Sequence, residues 1–201
     1  MFTLTLTGNF AIITKKLKRV KNMEYSEKTI KTEEIFKGRV IRVCRDEVLL
    51  ENGVTSTREL VYHPGGVGIV AYDKDGYVYM VRQYRKPFEE IILEIPAGKL
   101  EYGEDHFECG KRELSEETGF TAEKYTYLGH YYATPGFCSE KLHLYLAEGL
   151  TAGETHFDSD ERLSVEKYKL EDLIKMIDNG EIKDAKTVIA LQKVYIMKNM
   201  K

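Results

Sequence analysis

Four glutamates between residues 104 and 117 carry the clearest chemistry in this sequence: Glu104, Glu113, Glu116 and Glu117. On a helix the last three are spaced i, i+3 and i+4, so their side chains share one face. Like charges on one face destabilise a helix unless nearby cations neutralise them. Carboxylate oxygens are the ligands that Mg²⁺ and Mn²⁺ prefer. Arg112 can pair with Glu116, four residues later. Charge alone leaves two interpretations, a solvated acidic face or a divalent-metal site.

The spacing of these residues is far more specific than their charge. The chain reads Gly98-x5-Glu104-x7-Arg112-Glu113-Leu114-x-Glu116-Glu117-x-Gly119-Phe120. This string is similar to the Nudix box, GX5EX7REUXEEXGU, in which U is a bulky aliphatic or aromatic residue, and chance agreement at every fixed position is very improbable. The flanking strings VRQYRKP, LEIPAGKLE, TPGF and DAKTVIALQ, with IFKGRVI and RELVYHPG before them, resemble the ADP-ribose pyrophosphatase branch of that family.

The resemblance covers about residues 23–198 and departs from the branch at Cys109-Gly110, where two alanines are usual. It implies metal-dependent hydrolysis of ADP-ribose to AMP and ribose 5-phosphate, with Mg²⁺ or Mn²⁺ as cofactor. The metal ligands that it implies are Glu113, Glu117 and the Ala97 carbonyl, with Glu116 as ligand or catalytic orienter held by Arg112. Glu104 is implied to brace the loop, and Gly98 and Gly119 to support the box.

A general base must reach the attacking water, and in this branch it comes from an acidic loop outside the box. Glu161, in the run 158–161, best matches that base, and Asp160 is the fallback. The substrate contacts implied by the resemblance are Arg85 to the diphosphate, Glu94 to the adenine or ribose, Glu140 to the terminal ribose, Arg58 to the pyrophosphate and Phe36 to the adenine. Arg82 should face the other side of its strand. Arg39 is interpreted as a solvent-facing strand residue.

The elements that must position these groups predict an α+β fold. The residues of IFKGRVIRV favour a β-strand, as do those on either side of a hairpin turn at Asn52-Gly53. A second hairpin is predicted to turn at Asp75-Gly76. Residues 105–118 read as a helix with Gly119 just after it, and two more helices close the chain. The resemblance implies the Nudix fold, a mixed sheet layered between helices as an α/β/α sandwich, with a small N-terminal antiparallel sheet. We divide the chain into a leader (1–22), the N-terminal sheet (23–62) and the hydrolase domain (63–201).

Composition excludes several classes of protein. The 201 residues are 42% hydrophobic and 31% charged, which supports a folded core and excludes global disorder. No apolar run approaches the roughly 20 residues that cross a bilayer, so no membrane partner is expected. The net charge of −3 argues against a nucleic-acid partner. The cysteines (Cys44, Cys109 and Cys138) show no CxxC spacing, which indicates reduced thiols and a cytoplasmic location.

The net charge is divided unevenly along the chain. Residues 1–22 hold five cations and no acid, which leaves 25 cations against 33 acids in residues 23–201. Two interpretations of this leader stay open. It is either an extension that is not native or not ordered, with translation starting at Met23, or a basic arm that docks on an acidic partner.

Relatives in this branch are homodimers in which the N-terminal sheet helps to build the partner's substrate site, so the resemblance implies a homodimer. A sheet of three short strands is poorly self-sufficient, in agreement with that arrangement. Two alternative functions remain: a pyrophosphatase for another nucleoside diphosphate sugar, such as GDP-mannose, and a non-catalytic ADP-ribose sensor. Sensors of this kind usually lose glutamates of the box, whereas this chain keeps them.

Overall fold

The N-terminal sheet is antiparallel and has the strand order β1-β2-β3. The structure is a computed structural model that describes residues 26–153 and 163–200. The three strands are β1 (Glu27–Lys37), β2 (Arg42–Leu50) and β3 (Thr55–Tyr62). The hairpin between β2 and β3 turns at Gly53, whose φ of 81° is the left-handed conformation that glycine adopts without steric cost. The predicted hairpin at Asn52-Gly53 is therefore confirmed.

The segment IFKGRVIRV, predicted as one strand, is divided in two by a turn. β1 ends at Lys37 and β2 begins at Arg42. Between them the amide of Gly38 donates to the carbonyl of Ile41 at 2.9 Å. The prediction was wrong here because Gly38 interrupts the run of strand-forming residues, and a side-chain carbon at this position would come within 2.7 Å of the Phe36 ring. Arg39 consequently lies in a turn and not on a strand.

A second, larger sheet follows and mixes parallel with antiparallel pairs. Its main path is β10-β5-β4-β9-β8, with β6 paired to β5 and β7 paired to β4. β4 runs parallel to β9, while the other pairs are antiparallel. The strands are β4 (Gly66–Tyr72), β5 (Tyr77–Arg85), β6 (Glu90–Glu94), β7 (Ala97–Lys99), β8 (Phe120–Tyr132), β9 (Lys141–Ala152) and β10 (Leu163–Lys169).

Helices cover both faces of this second sheet, because its central strands are apolar on both sides. The described helices are α1 (His106–Thr118), α2 (Leu170–Asp178) and α3 (Ala185–Asn199). Along β4, Val70 joins the core cluster of α2 and α3, whereas Val67 and Ile69 join the cluster of α1. The predicted α/β/α arrangement with a separate small N-terminal sheet is confirmed. Among the described residues, no helix is long and apolar enough to cross a membrane.

The two sheets are joined at the end of β3. The amide of Val61 donates to the Phe137 carbonyl at 2.8 Å, and the amide of Ser139 donates to the Val61 carbonyl at 2.9 Å. The Ser139 hydroxyl also accepts the amide of His63 at 2.9 Å. These bonds fix the N-terminal sheet against the loop between β8 and β9. By contrast, every residue of β1 is exposed.

Candidate active site

A cavity of about 760 Å³ opens between the loop around β7 and the first turn of α3. Its wall includes the loop around β7, one face of α1, the end of β5 and the turn between β1 and β2. The charged residues that line it are Arg39, Arg85, Lys99, Glu101, Arg112, Glu113, Glu116, Glu140, Asp184 and Lys186. The cavity therefore brings together several carboxylates and several cations from distant parts of the chain.

The ends of α1 set the position of its carboxylates. Asp105 caps the helix, and its side chain accepts the amides of Phe107 at 2.9 Å and Glu108 at 3.2 Å. At the other end Gly119 has a φ of 72°, and its amide donates to the Ser115 carbonyl. Both ends satisfy backbone groups that a helix otherwise leaves unpaired. The predicted helix over residues 105–118 is thus confirmed, starting one residue later.

Arg112 joins three of the four glutamates. Its Nη1 lies 2.8 Å from Glu116 Oε2 and 2.9 Å from Glu113 Oε1. Its Nε and Nη2 reach the two oxygens of Glu104 at 3.1 and 3.3 Å. The predicted pairing of Arg112 with Glu116 is present and extends further, because one planar guanidinium presents several donors in fixed directions.

Glu104 also ties the loop before α1 to itself. Its Oε2 accepts the amide of Glu101 at 2.9 Å. Burial favours a higher pKa for Glu104, but hydrogen bonds from Arg112 and from the Glu101 amide hold that pKa below its ordinary value. Glu104 therefore stays charged and links the loop to Arg112.

The loop at β7 lies directly against α1. A side-chain carbon at Gly98 would come within 1.8 Å of the carboxyl carbon of Glu113, so the glycine leaves the space that this carboxylate fills. The amide of Ala97 donates to Glu117 Oε2 at 2.9 Å, and Glu117 is only 2% exposed. The loop and the helix are thereby held in a fixed relation by two glutamates.

A second charged group lies at the end of β5. Arg85 binds Glu94 through two hydrogen bonds, Nε to Oε1 at 2.6 Å and Nη2 to Oε2 at 2.7 Å. Lys186 Nζ also donates to Glu94 Oε2, and it contacts Asp184 Oδ2 at 3.0 Å. Burial favours a higher pKa for Glu94, but Arg85 and Lys186 outweigh it and lower that pKa. Glu94 is therefore a buried anion between two cations that line the cavity.

Two sequence models of known domains match adjacent parts of the chain. The nucleoside diphosphate sugar hydrolase N-terminal domain matches residues 27–61, and the NUDIX domain matches residues 62–191. The chain belongs to the Nudix family. It is a Nudix hydrolase, because the box lies on α1 and the loop at β7 with all its glutamates in place.

Two bacterial proteins are similar in sequence to this Nudix hydrolase over most of its length. It is 47% identical over 168 residues to the ADP-ribose pyrophosphatase of Bacillus subtilis, covering 83% of this chain and 91% of that protein. It is 45% identical over 179 residues to the methanol dehydrogenase activator of Bacillus methanolicus, covering 88% and 97%. A crystal structure of an ADP compounds hydrolase matches the fold with a TM-score of 0.76 at 24% identity, covering 88% of this chain and 96% of that one.

Hydrolases of this family generally need a divalent metal ion, and the residues here fit one. Glu113, Glu116 and Glu117 supply hard carboxylate oxygens beside the Ala97 loop, and Gly98 leaves room for the Glu113 carboxylate. Among the described residues, no three His, Cys, Asp or Glu side chains already surround a common point.

The predicted substrate residues are divided between the cavity and the N-terminal sheet. Arg85 and Glu140 line the cavity, and Glu140 Oε1 lies 3.7 Å from His63 Nδ1. Arg58 instead pairs with Glu27 at 2.5 Å, and Phe36 is exposed on β1. Neither of these two lines the cavity of its own chain. The predicted base Glu161 and the fallback Asp160 lie outside the described residues, as does the leader, 1–22.

Two cavity residues were misjudged or missed from the sequence. Arg39 was interpreted as a solvent-facing strand residue; it is exposed, as expected, but it lies in the turn after Gly38 and not on a strand, and it lines the cavity. Lys186 was overlooked, although it follows the helix cap Asp184 by two residues. The Gly38 turn and the cap at Asp184 were the local signals for these positions. Only packing across the fold shows that both residues reach the cavity.

Proposed function

We propose that this Nudix hydrolase cleaves the diphosphate of ADP-ribose to give AMP and ribose 5-phosphate. The observation that carries the proposal is the 47% identity to the ADP-ribose pyrophosphatase of Bacillus subtilis over 91% of that protein. The cavity supports it chemically, because Glu113 and Glu116 of the Nudix box line the same cavity as Arg85 and Lys186. Carboxylates hold a cation for the phosphates, and Arg presents a donor fork that suits phosphate oxygens.

We assign the metal ligands to Glu113, Glu116, Glu117 and the Ala97 carbonyl, with Mg²⁺ or Mn²⁺ as the ion. When bound, such an ion neutralises the diphosphate charge and increases the acidity of the attacking water. Arg112 holds Glu113 and Glu116 in place. We assign the base to Glu161: it takes a proton from water as the water oxygen bonds to one phosphorus and the bond to the bridging oxygen breaks.

The substrate contacts are proposed as follows. Arg85 binds Glu94 through Nε and Nη2, so we assign its remaining nitrogen, Nη1, to the diphosphate. Glu140, which lines the cavity, is assigned to the terminal ribose. Glu94, proposed from the sequence as a contact for adenine or ribose, has both oxygens engaged by Arg85 and Lys186, so its effect on substrate passes through those two residues.

We further propose that the enzyme is a homodimer and acts in the cytoplasm. The apolar side chains Ile30, Ile35 and Phe36 on β1 are each more than half exposed, and an exposed edge strand is a surface that proteins cover. A partner that covers β1 brings Phe36 and Arg58 toward another protomer's cavity. The cytoplasmic location is supported by the three free cysteines, none of which is paired.

Release of AMP from ADP-ribose tests the proposal. The full chain with Mg²⁺ should produce AMP and ribose 5-phosphate, and EDTA should stop the reaction. The Glu108→Gln variant should keep wild-type activity. Glu108 lies on the same helix as the glutamates of the box, but it pairs with Lys111 at the exposed surface. Faster turnover of GDP-mannose would support the alternative that 32% identity to a GDP-mannose pyrophosphatase of Yersinia enterocolitica raises. Binding of ADP-ribose without hydrolysis would identify a sensor.

A further inference from the structure

The first turn of α3 is bonded to the strand that leads into the metal-site loop. The hydroxyl of Thr187 donates to Asp184 Oδ2 at 2.6 Å and accepts the amide of Ile95 at 2.9 Å. Thr187 is completely buried. Its hydroxyl therefore bridges the cap of α3 and the backbone of residue 95, in a place where water cannot replace either bond.

Residues 95–97 are held at three successive backbone positions. Thr187 accepts the amide of Ile95, the amide of Ile69 donates to the Pro96 carbonyl at 2.8 Å, and the amide of Ala97 donates to Glu117. Pro96 has no amide hydrogen. The Ile95 amide that Thr187 binds is therefore the backbone donor nearest before Ala97 in the chain. The Ala97 carbonyl, which we assign to the metal, is thus oriented from α3 as well as from α1.

The same turn of α3 also reaches the diphosphate arginine. Lys186, one residue before Thr187, shares the buried carboxylate of Glu94 with Arg85 and contacts Asp184. Glu94 is 3% exposed in its side chain, so its charge needs both cations. Among the described residues, removing Lys186 leaves Arg85 as the one cation paired with Glu94, which changes how firmly and in which direction the guanidinium is held.

We propose that Thr187 and Lys186 are positioning residues of the active site. Thr187 orients the Ala97 carbonyl for the metal, and Lys186 orients Arg85 for the substrate through Glu94. The two roles rest on the proposed metal-dependent hydrolysis, and they predict different losses. Loss of the Thr187 hydroxyl should weaken metal binding, whereas loss of the Lys186 charge should weaken substrate binding.

Mn²⁺ binding to the full chain, followed by electron paramagnetic resonance without substrate, tests the role of Thr187. Thr187→Val keeps the shape and removes the hydroxyl, so Mn²⁺ should bind about tenfold more weakly. Thr187→Ser keeps the hydroxyl and should restore wild-type affinity. Should the valine variant not fold, Asp184→Asn removes the charge that orients the hydroxyl and should also weaken Mn²⁺ binding. Wild-type Mn²⁺ affinity in a folded Thr187→Val or Asp184→Asn protein would overturn the role.

Steady-state kinetics test the role of Lys186. Lys186→Met should raise KM about tenfold with little change in kcat and in Mn²⁺ affinity, and Lys186→Arg should restore most of the loss. In an Arg85→Ala background the same change should alter KM less than about twofold, because Lys186 acts through Arg85. Full additivity of the two changes, or an unchanged KM with a lowered melting temperature, would overturn it.

The result can be separated from a failure of the proposed function. If the wild-type chain hydrolyses no nucleoside diphosphate, the proposed reaction is wrong, while Mn²⁺ binding still decides the role of Thr187. In that case the affinity for ADP-ribose, measured by calorimetry, replaces KM for Lys186. An affinity that Lys186→Met leaves unchanged would then overturn its role.

Discussion

The carboxylate of Glu113 occupies the space that a side chain at position 98 would need. A β-carbon built on Gly98 lies 1.8 Å from the carboxyl carbon of Glu113 and 1.8 Å from its Oε1. Gly98 is not one of the positive-φ glycines, so its backbone also suits other residues. The absent side chain, and not an unusual backbone, is therefore what the site requires here.

The first prediction concerns Gly98→Ala. The new methyl group forces Glu113 away from the loop, so Mn²⁺ affinity and turnover should each fall about 10- to 100-fold. Mn²⁺ resonance and AMP release measure the two effects. Gly136→Ala is the matched control, because Gly136 also lacks a positive φ and has open space around it. If Gly98→Ala binds Mn²⁺ as the wild type does, Glu113 is not a ligand.

Local sequence patterns predicted the box region well because its geometry is set by neighbours in the chain. The i, i+3, i+4 spacing places Glu113, Glu116 and Glu117 on one face, and Gly119 ends α1 in the left-handed conformation. The Arg112–Glu116 pair is likewise one helical turn apart. Each of these features needs only the periodicity of a helix and the freedom of glycine.

The remainder of the cavity depends on contacts between distant segments. Lys186 reaches Glu94 over 92 positions of sequence, and no periodicity within α3 indicates that partner. Arg39 was misplaced because strand propensity outweighed one glycine in the prediction, whereas the Gly38–Ile41 turn decides the real structure. The pairing of Glu94 with Arg85 and Lys186 could not be predicted from local sequence either, since the three residues lie on β6, β5 and α3.

The second prediction is that Arg112 cannot be replaced by lysine. Lysine offers a point charge and loses the fork that holds Glu104, Glu113 and Glu116 together, so Arg112→Lys should lower kcat about tenfold or more. Arg82→Lys is the matched control: Arg82 Nε also binds a glutamate, Glu166, at 2.7 Å, but away from the cavity. Comparable kcat values in the two variants would show that the fork is not needed.

The third prediction tests the base. Glu161→Gln removes the proton acceptor but no proposed metal ligand, so turnover should fall at least about tenfold while Mn²⁺ affinity stays unchanged. Asp160→Asn is the comparison, and it should have the smaller effect. Rates of AMP release at saturating substrate and Mn²⁺ resonance measure the two properties. Wild-type turnover in Glu161→Gln would remove this residue from the mechanism, and a larger loss in Asp160→Asn would move the role to Asp160.

The fourth prediction is that the protein sediments as a dimer at micromolar concentration. β1 exposes Ile30, Ile35 and Phe36, and covering such an apolar edge is favourable. Ile35→Lys adds a charge to that edge and should shift the species toward monomer in sedimentation velocity. Phe88→Lys is the control, because Phe88 is also a large exposed side chain but lies in the turn between β5 and β6, outside both the N-terminal sheet and the cavity wall. A wild-type protein that is monomeric throughout would contradict the dimer.

A cluster of three histidines lies beside the start of α1, away from the cavity. The His143 ring stacks on His106 at 3.8 Å between centroids and lies 5.9 Å from His130. Tyr127 Oη is 3.0 Å from His143 Nδ1. Burial, followed by the neighbouring charges of His106, His130 and Lys141, lowers the pKa of His143 to about 4 from 6.5, against a smaller opposite effect of Asp105.

This lowered pKa predicts that the fold loses stability in mild acid. Between pH 6.5 and about 4, residue 143 is protonated in the unfolded chain but stays neutral in the folded chain. The free energy of unfolding should therefore decrease as the pH falls through that window. Above pH 6.5 residue 143 is neutral in both the folded and the unfolded chain, so His143 then causes no loss of stability. His143→Gln keeps a hydrogen-bonding group for Tyr127 but does not titrate, so its melting temperature should fall less steeply between pH 7.5 and 4.5. Identical slopes for His143→Gln and wild type in thermal unfolding would show that proton uptake by His143 does not control this acid sensitivity.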